Sequence, residues 1–274
     1  MALLPFSRSS DEPAADDSDG WGDALLAGGG AKMTFLEHLD ELRKRLVVSI
    51  AAIGIGCLIA FAFVERIYAF VMTPLFHLLP KGSGLIYTEP TEAFILYVWM
   101  AFLAGIILAI PVILWQAWLF IAPGLYAKEK RLAVPFVILS SVGFVAGAAF
   151  THYLLFPWMC AFFGSFATDK LTFMPRIEPV FDLYVKMVLG MGLVFQMPAI
   201  VYSLARIGLV TARFLLKSFK YAILIIFIAA AVITPSGDML TQTLFALPMI
   251  GLYILSIAIA WIFGKRRRTE PVEE

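Results

Sequence analysis

Residues 93–117 read AFILYVWMAFLAGIILAIPVILWQA, a stretch without a single Asp, Glu, Lys or Arg. A helix needs about 20 consecutive apolar residues to cross the hydrocarbon core of a bilayer, which is about 30 Å thick, and it satisfies all of its backbone polar groups within the segment. This stretch is long enough, so it predicts a transmembrane helix.

The rest of the chain repeats the same pattern of long apolar blocks and short charged segments. Apolar residues make up 61% of the 274 residues and charged residues 15%, whereas soluble domains have about half and about a quarter. The blocks predict an all-α membrane protein with six spans, at about 46–64, 93–117, 132–156, 181–204, 215–233 and 241–263.

The fifth span is the weakest of the six. Its uninterrupted apolar core, residues 221–233, is too short for a bilayer of full thickness. Spans 5 and 6 therefore either both cross or form one re-entrant hairpin. Because span 6 is long enough to cross, we favour two crossings, with the bilayer thinned locally around span 5 or the helix tilted.

Lys and Arg are distributed unevenly between the two sides of the predicted bundle. The segment before span 1, the loops after spans 2 and 4 and the C-terminal tail carry 16 of the 21 Lys and Arg residues. The opposite side carries only Arg66, Lys81, Lys170 and Arg176. Because cytoplasmic connections are enriched in Lys and Arg, both termini are predicted to be cytoplasmic.

Composition divides the chain into three regions. Residues 1–32 are rich in Ser, Asp, Gly and Ala and lack hydrophobic periodicity, which predicts a disordered cytoplasmic tail. Residues 33–264 form the membrane domain, and residues 265–274 a basic-then-acidic cytoplasmic tail. The apolar content of residues 65–92 predicts an ordered cap in the first loop on the far side.

Prolines punctuate the predicted spans and the loops that join them. Interior proline removes a backbone hydrogen bond and kinks a helix. Several kinked helices side by side predict a curved, concave wall rather than a straight bundle. The prolines concerned are Pro111, Pro123, Pro135, Pro157, Pro198 and Pro248.

Phe35, Leu39, Leu42 and Leu46 recur at helical spacing and form one apolar stripe. With the opposite face charged, the segment is predicted to be an amphipathic helix on the inner membrane surface. On that face Glu41 can pair with a basic residue four positions later, as ordinary solvated helix pairs do.

Two carboxylates, Glu41 and Glu129, lie on a cytoplasmic side that is otherwise rich in cations. Glu129 is the acid among Lys128, Lys130 and Arg131 in the 2–3 loop, where it could simply compensate charge. A carboxylate at a partly dry surface also binds guanidinium through two hydrogen bonds. Together the two acids could receive two arginines.

Polar residues inside the spans are sparse. Lys186 lies four residues after Asp182, which favours a lysine that reaches the far surface and pairs with that acid. Gln196 lies deep in span 4 before Pro198, where its amide could bridge helices, bond freed carbonyls or form a functional polar site. Asp238 is placed to cap span 6.

Other function classes find little support in the sequence. Cys57 and Cys160 have no metal or redox spacing, and His38, His77 and His152 form no metal pattern. A secondary transporter remains an alternative, but it predicts paired ionisable residues at mid-membrane and internal repeats, which are not seen. An intramembrane enzyme predicts a catalytic constellation, which is also absent. No cofactor, metal or nucleic acid is expected.

Several short motifs occur in one order along residues 34–264. They are HLDELRKR at 38–45, PVIL at 111–114, FIAPGLY at 120–126 followed by Glu129 and Arg131, FP at 156–157, FQMP at 195–198 and TPSGD at 234–238 followed by Gln242. In these motifs the chain resembles the TatC family, the membrane receptor subunit of the twin-arginine protein translocase. Six spans with both ends inside also fit that family.

The resemblance implies a receptor in the bacterial inner membrane that binds twin-arginine signal peptides and helps to export folded proteins. The implied partners are TatA- and TatB-like single-span subunits and the lipid bilayer, in an oligomeric complex. The implied signal-peptide surface comprises Glu41, Arg43, Phe120, Pro123, Glu129 and Arg131. Further implied polar or structural positions are Pro74, Lys186, Gln196, Asp238 and Gln242.

The chain departs from the family pattern at two positions. Gln196 occupies a position that is often Glu, and His152 one that is expected to be aromatic. The first departure argues against a protonation role at that position.

Overall fold

A computed structural model of the chain describes residues 35–77, 84–121, 133–168, 173–234 and 238–264. The predicted tails at 1–32 and 265–274 lie outside these ranges, as do Pro123, Glu129 and Arg131. By its internal contacts the chain forms two units, Met1–Leu42 and Arg43–Glu274, and the packing described below lies within the second.

The regular elements in the described ranges are helices. They are α1 (Phe35–Phe61), α2 (Val64–Phe76), α3 (Glu92–Ile121), α4 (Ala133–Phe150), α5 (Phe156–Gly164), α6 (Ile177–Val194), α7 (Met197–Ile207), α8 (Ala212–Lys217), α9 (Phe219–Ile233) and α10 (Met239–Phe263). A π-helical turn, Thr151–Leu155, joins α4 to α5.

Five helical stretches in the described residues are long and apolar enough to cross a membrane. They are Leu36–Phe61, Glu92–Ile121, Ala133–Gly164, Ile177–Ile207 and Met239–Phe263. They coincide with predicted spans 1, 2, 3, 4 and 6. Helix α9 occupies the position of span 5 and has 15 residues. At 1.5 Å per residue it is about 22 Å long, against about 30 Å for the hydrocarbon core. The sixth crossing therefore stays a prediction.

Two of the predicted proline kinks coincide with interruptions of the α-helix. The π-helical turn directly precedes α5, in whose first turn Pro157 lies, and α6 ends at Val194 before α7 restarts with Pro198 in its first turn. Proline lacks an N–H and its ring clashes with the carbonyl four residues earlier, so the first turn of a new helix accommodates it. Pro111 and Pro248, by contrast, lie inside continuous helices.

Glycines fix which helices approach most closely. A Cβ atom built on Gly56 of α1 would lie 2.6 Å from the carbonyl oxygen of Gly105 in α3. In α4, a Cβ atom on Gly147 would lie 2.8 Å from the carbonyl oxygen of Met191 in α6. Lipid supplies no hydrophobic drive between helices, so close packing at small residues holds them together. The composition alone did not reveal these two crossings.

Several of the largest buried side chains lie where α2 meets α3 and α5. Met72 and Leu75 of α2, Met100 of α3, and Phe156 and Met159 of α5 are fully buried. Unbranched Met side chains fill irregular gaps between such helices. Helix α2 is therefore anchored to two spans, although it is too short to cross a membrane.

Candidate functional site

Three of the residues predicted to bind a signal peptide lie within the described part of the chain. Glu41 is half-buried in α1, within the Met1–Leu42 unit. In the second unit, Arg43 is exposed and Phe120 is half-buried in the last turn of α3. Pro123, Glu129 and Arg131 belong to the segment that follows α3, outside the described residues.

A hydrogen bond joins α1 to α3 at this end of the second unit. One guanidinium nitrogen of Arg45 donates to the side-chain oxygen of Gln116 over 3.3 Å. Arg45 lies one turn after Glu41 in sequence, and Gln116 one turn before Phe120. The bond therefore anchors the end of α3 from which the 2–3 loop departs. Arg45 is the basic residue four positions after Glu41, for which the spacing predicted only a pairing within its own helix, and no sequence pattern pointed to Gln116.

Gln196 lies at the break between α6 and α7 and is buried. Its side-chain nitrogen donates to the backbone carbonyl of Ser140 in α4 over 3.1 Å. Its side-chain oxygen has no hydrogen-bond partner among the described residues, and the same holds for the buried hydroxyls of Ser140 and Ser141. Gln196 thus bridges two helices and leaves a buried cluster of polar groups with unused hydrogen-bonding capacity, which we call the Gln196 cluster.

Asp238 and Gln242 stabilise the start of α10 and its contact with α9. One carboxylate oxygen of Asp238 accepts from the backbone N–H of Thr241 over 2.8 Å, and the other accepts from the Thr241 hydroxyl over 2.6 Å. This is the geometry of a helix N-cap. The side-chain nitrogen of Gln242 donates to the carbonyl of Phe227 over 2.8 Å, which ties the short α9 to α10.

The two remaining predicted positions, Lys186 and Pro74, make no side-chain hydrogen bond or ion pair that joins helices in the described residues. Lys186 and Asp182 are both exposed in α6, and no ion pair joins them within the described residues. Pro74 lies inside α2 and is half-buried.

An ion pair that the sequence did not reveal joins two connecting segments; the Glu92 carboxylate is buried, whereas the Arg176 side chain is exposed. Arg176 donates to the Glu92 carboxylate over 2.7 Å, and this hydrogen bond raises the pKa of the guanidinium above its usual range. Thr88 adds bonds to the same carboxylate from its backbone N–H (3.1 Å) and hydroxyl (3.0 Å). Ile86 also exchanges backbone hydrogen bonds with the segment before α6. The available signal was an acid, Glu92, at the start of one span and a base, Arg176, shortly before another.

His152 lies buried in the π-helical turn, a position for which the sequence offered no role. Its ring stacks on Phe70 of α2 with centroids 4.0 Å apart, and its Nδ1 lies 3.3 Å from the Tyr184 hydroxyl of α6. The residue therefore takes the packing place of an aromatic ring and adds a hydrogen bond. No three His, Cys, Asp or Glu side chains in the described ranges come together in a way that could hold a metal ion.

These features define a polytopic α-helical membrane protein whose polar groups lie at helix breaks, helix ends and connecting segments. A sequence profile of the family described as "Sec-independent protein translocase protein (TatC)" matches residues 37–248. The chain belongs to this family and is thus a protein-transport component of the Tat translocase. The resemblance stated from the motifs is confirmed.

Relatives and solved structures agree with that assignment. The chain is 43% identical to the TatC protein of Desulforapulum autotrophicum over 88% of this chain and 89% of that protein. It is 39% identical to TatC of Koribacter versatilis over 88% and 91%. The crystal structure of a twin arginine translocase receptor, TatC, in DDM is 35% identical and superposes with a TM-score of 0.74, over 84% of this chain and all of that one.

Proposed function

We propose that the protein is the signal-peptide receptor of a twin-arginine translocation system in a bacterial inner membrane, with both termini in the cytoplasm. The observation that carries this proposal is the likeness, over most of both chains, to a solved structure named as a twin arginine translocase receptor. The uneven distribution of Lys and Arg supports the orientation.

The proposed chemistry is recognition of two guanidinium groups by two carboxylates. Glu41 and Glu129 each accept a planar, bidentate pair of hydrogen bonds, which a lysine ammonium cannot reproduce. The surrounding cations repel a peptide that fails to reach these acids. The bond from Arg45 to Gln116 supports this arrangement, because it anchors the end of α3 that leads into the loop bearing Glu129.

The proposed partners, TatA- and TatB-like single-span subunits, dock on α9 and at the Gln196 cluster. Exposed apolar side chains of α9, among them Leu224, Ile228 and Val232, offer a lipid-facing surface. The polar atoms of the Gln196 cluster are themselves buried, so a docked helix would contact the break between α6 and α7 around them rather than these atoms. A short α9 would also thin the bilayer locally where the complex assembles.

Export of a twin-arginine cargo is expected to slow about tenfold or more in the Glu129→Ala variant at subsaturating cargo, because one charge-assisted ion pair is lost. The measurement is cargo transport into inverted membrane vesicles. Lys130→Ala, which removes a cation from the same loop, is the control and is expected to retain export. If the Glu129→Ala variant exported cargo at the wild-type rate, the proposed recognition of arginine by Glu129 would be contradicted.

The Gln196→Leu variant is expected to separate a docking role from a structural one. Its stability should change by no more than about 1 kcal/mol, because one intramembrane hydrogen bond is lost and an unpaired oxygen is removed with it. Contact with a single-span subunit, measured by a photocrosslinker at Val232, should fall several-fold. Thr243→Val is the control, since its hydroxyl bonds the Met239 carbonyl within α10. Unchanged crosslinking in Gln196→Leu would exclude the cluster from the docking surface.

A further inference from the structure

An apolar groove opens where the end of α1 and the helix α2 face the middle of α3. Its volume is about 440 Å³, within the range of small-molecule sites. Residues that line it include Ile59, Phe63, Ile67, Phe70, Leu103 and Ala104. Tyr184 supplies the polar side-chain atom of the lining, and its hydroxyl lies within hydrogen-bond distance of His152. The groove therefore suits hydrocarbon rather than a polar solute.

Two sets of contacts hold the walls of the groove in place, a close helix crossing and the contacts of His152. The close crossing of Gly56 and Gly105 brings α1 against α3 one turn below Ala60, which lines the groove. His152 stacks on Phe70 and approaches the hydroxyl of Tyr184, two further lining residues. His152 therefore holds the side chains of two lining residues in position from behind the wall of the groove.

A cation lies beside one of the residues that line the groove. The guanidinium of Arg66 lies over the ring of Phe63, 5.9 Å from its centroid, and Phe63 lines the groove. Arg66 is exposed and forms no ion pair with any described residue. The adjacent Glu65 points about 100° away around the helix, since an α-helix has 3.6 residues per turn.

The N-terminus of α2 lies at the same place. The helix begins at Val64, and its N-cap residue Phe63 provides no side-chain hydrogen bond. The backbone N–H groups of a first turn have no partner within their helix, and together with the helix dipole they favour an anion. An arginine and an uncapped helix start thus flank one end of a hydrocarbon-lined groove.

We propose that this groove binds an acidic phospholipid, with its phosphate at Arg66 and the start of α2 and one acyl chain between α2 and α3. The arrangement matches the two ends of such a lipid in charge and polarity. A groove-bound lipid would hold α2 against the spans from the side of the membrane that α2 borders. The site goes beyond the proposed receptor function and does not depend on it.

The test is lipid retention by the full chain in detergent, measured by native mass spectrometry. The protein is mixed with equal amounts of phosphatidylglycerol and phosphatidylcholine that carry the same acyl chains. We expect one phosphatidylglycerol to be retained preferentially. Arg66→Gln should weaken its retention about tenfold, because the charge-assisted bonds to phosphate are lost. Ala104→Phe, which fills the groove, should weaken retention of both lipids.

Two matched variants control for loss of charge and gain of bulk elsewhere. Arg213→Gln removes an exposed cation from α8, and Ala258→Phe adds a ring to an exposed position of α10. Both should retain phosphatidylglycerol as the wild type does. Equal retention of the two lipids by the wild type, or normal retention by Arg66→Gln and Ala104→Phe, would overturn the proposal. A photocrosslinker at Ala104 that captures a signal peptide instead of lipid would also overturn it.

Discussion

Replacing Gly56 with alanine is expected to destabilise the protein by about 1–3 kcal/mol, the cost of overpacking a close contact. The added Cβ atom would lie 2.6 Å from the carbonyl oxygen of Gly105 and 3.2 Å from its Cα. Both atoms belong to the backbone of α3, so no flexible side chain can move aside. Helices α1 and α3 must therefore move apart, and the close packing of their neighbouring side chains around the crossing is lost.

Gly54 provides the matched control for this prediction, because it lies two residues earlier in the same helix. A Cβ atom built on Gly54 meets nothing within 4 Å. Gly54→Ala should therefore be neutral or stabilise the helix by up to about 1 kcal/mol. Thermal unfolding in detergent, followed by circular dichroism, measures both variants. Equal effects of the two substitutions would show that the crossing is not as close as described.

The reciprocal substitution tests the same contact from α3. A Cβ atom on Gly105 would lie 2.6 Å from the backbone nitrogen of Cys57. Gly105→Ala should destabilise as Gly56→Ala does. The effects of the two changes should not add in the double variant, because one separation of the helices relieves both clashes.

Binding of a twin-arginine signal peptide is expected to weaken about tenfold or more in Glu41→Ala and in Glu129→Ala. A charge-assisted hydrogen-bonded pair contributes roughly 1.5–3 kcal/mol, and each variant removes one carboxylate from the proposed pair of acids. Asp40→Ala serves as the control, since it removes an adjacent acid that has no proposed role in binding. If Asp40→Ala weakens binding as strongly as Glu41→Ala, the effect comes from general surface charge.

The positions of the long spans could be predicted from the sequence because each is a long apolar block. The stretch predicted at 93–117 lies within Glu92–Ile121, and the stretch predicted at 241–263 within Met239–Phe263. The weak fifth span is a shorter helix, Phe219–Ile233, as its apolar core indicated. Length and hydropathy are local properties, so a single sequence reports them well.

Contacts between distant residues could not be predicted in the same way. The Gly56–Gly105 crossing, the Glu92–Arg176 ion pair and the bond from Gln196 to Ser140 each join residues far apart in the chain. A single sequence shows that a glycine or a lone charge is present, but not which residue it meets. Helix breaks could be predicted only in part. Pro157 and Pro198 mark two interruptions of the α-helix, whereas Pro111 and Pro248 lie in continuous helices.

The candidate site residues were identified from the motifs more than from physical patterns such as spacing and charge. On spacing alone, Glu41 and Glu129 could be ordinary surface charges, and the resemblance to TatC gave them a role. Asp238 is different, because its position before an apolar block already predicted the cap that the structure contains. A cap is a local interaction, whereas a binding surface is assembled from separate segments.

The most direct test of the receptor proposal is the ratio of affinities for two peptides that differ only in an Arg-Arg or a Lys-Lys pair. The ratio is measured by titrating each peptide into the purified wild-type protein in detergent. Because guanidinium binds carboxylate through two hydrogen bonds, we predict that the Arg-Arg peptide binds at least about tenfold more tightly. We also predict that the preference disappears when Glu41 and Glu129 are both replaced by alanine. Equal affinities of the wild-type protein for the two peptides would contradict the assignment of this protein as a twin-arginine receptor.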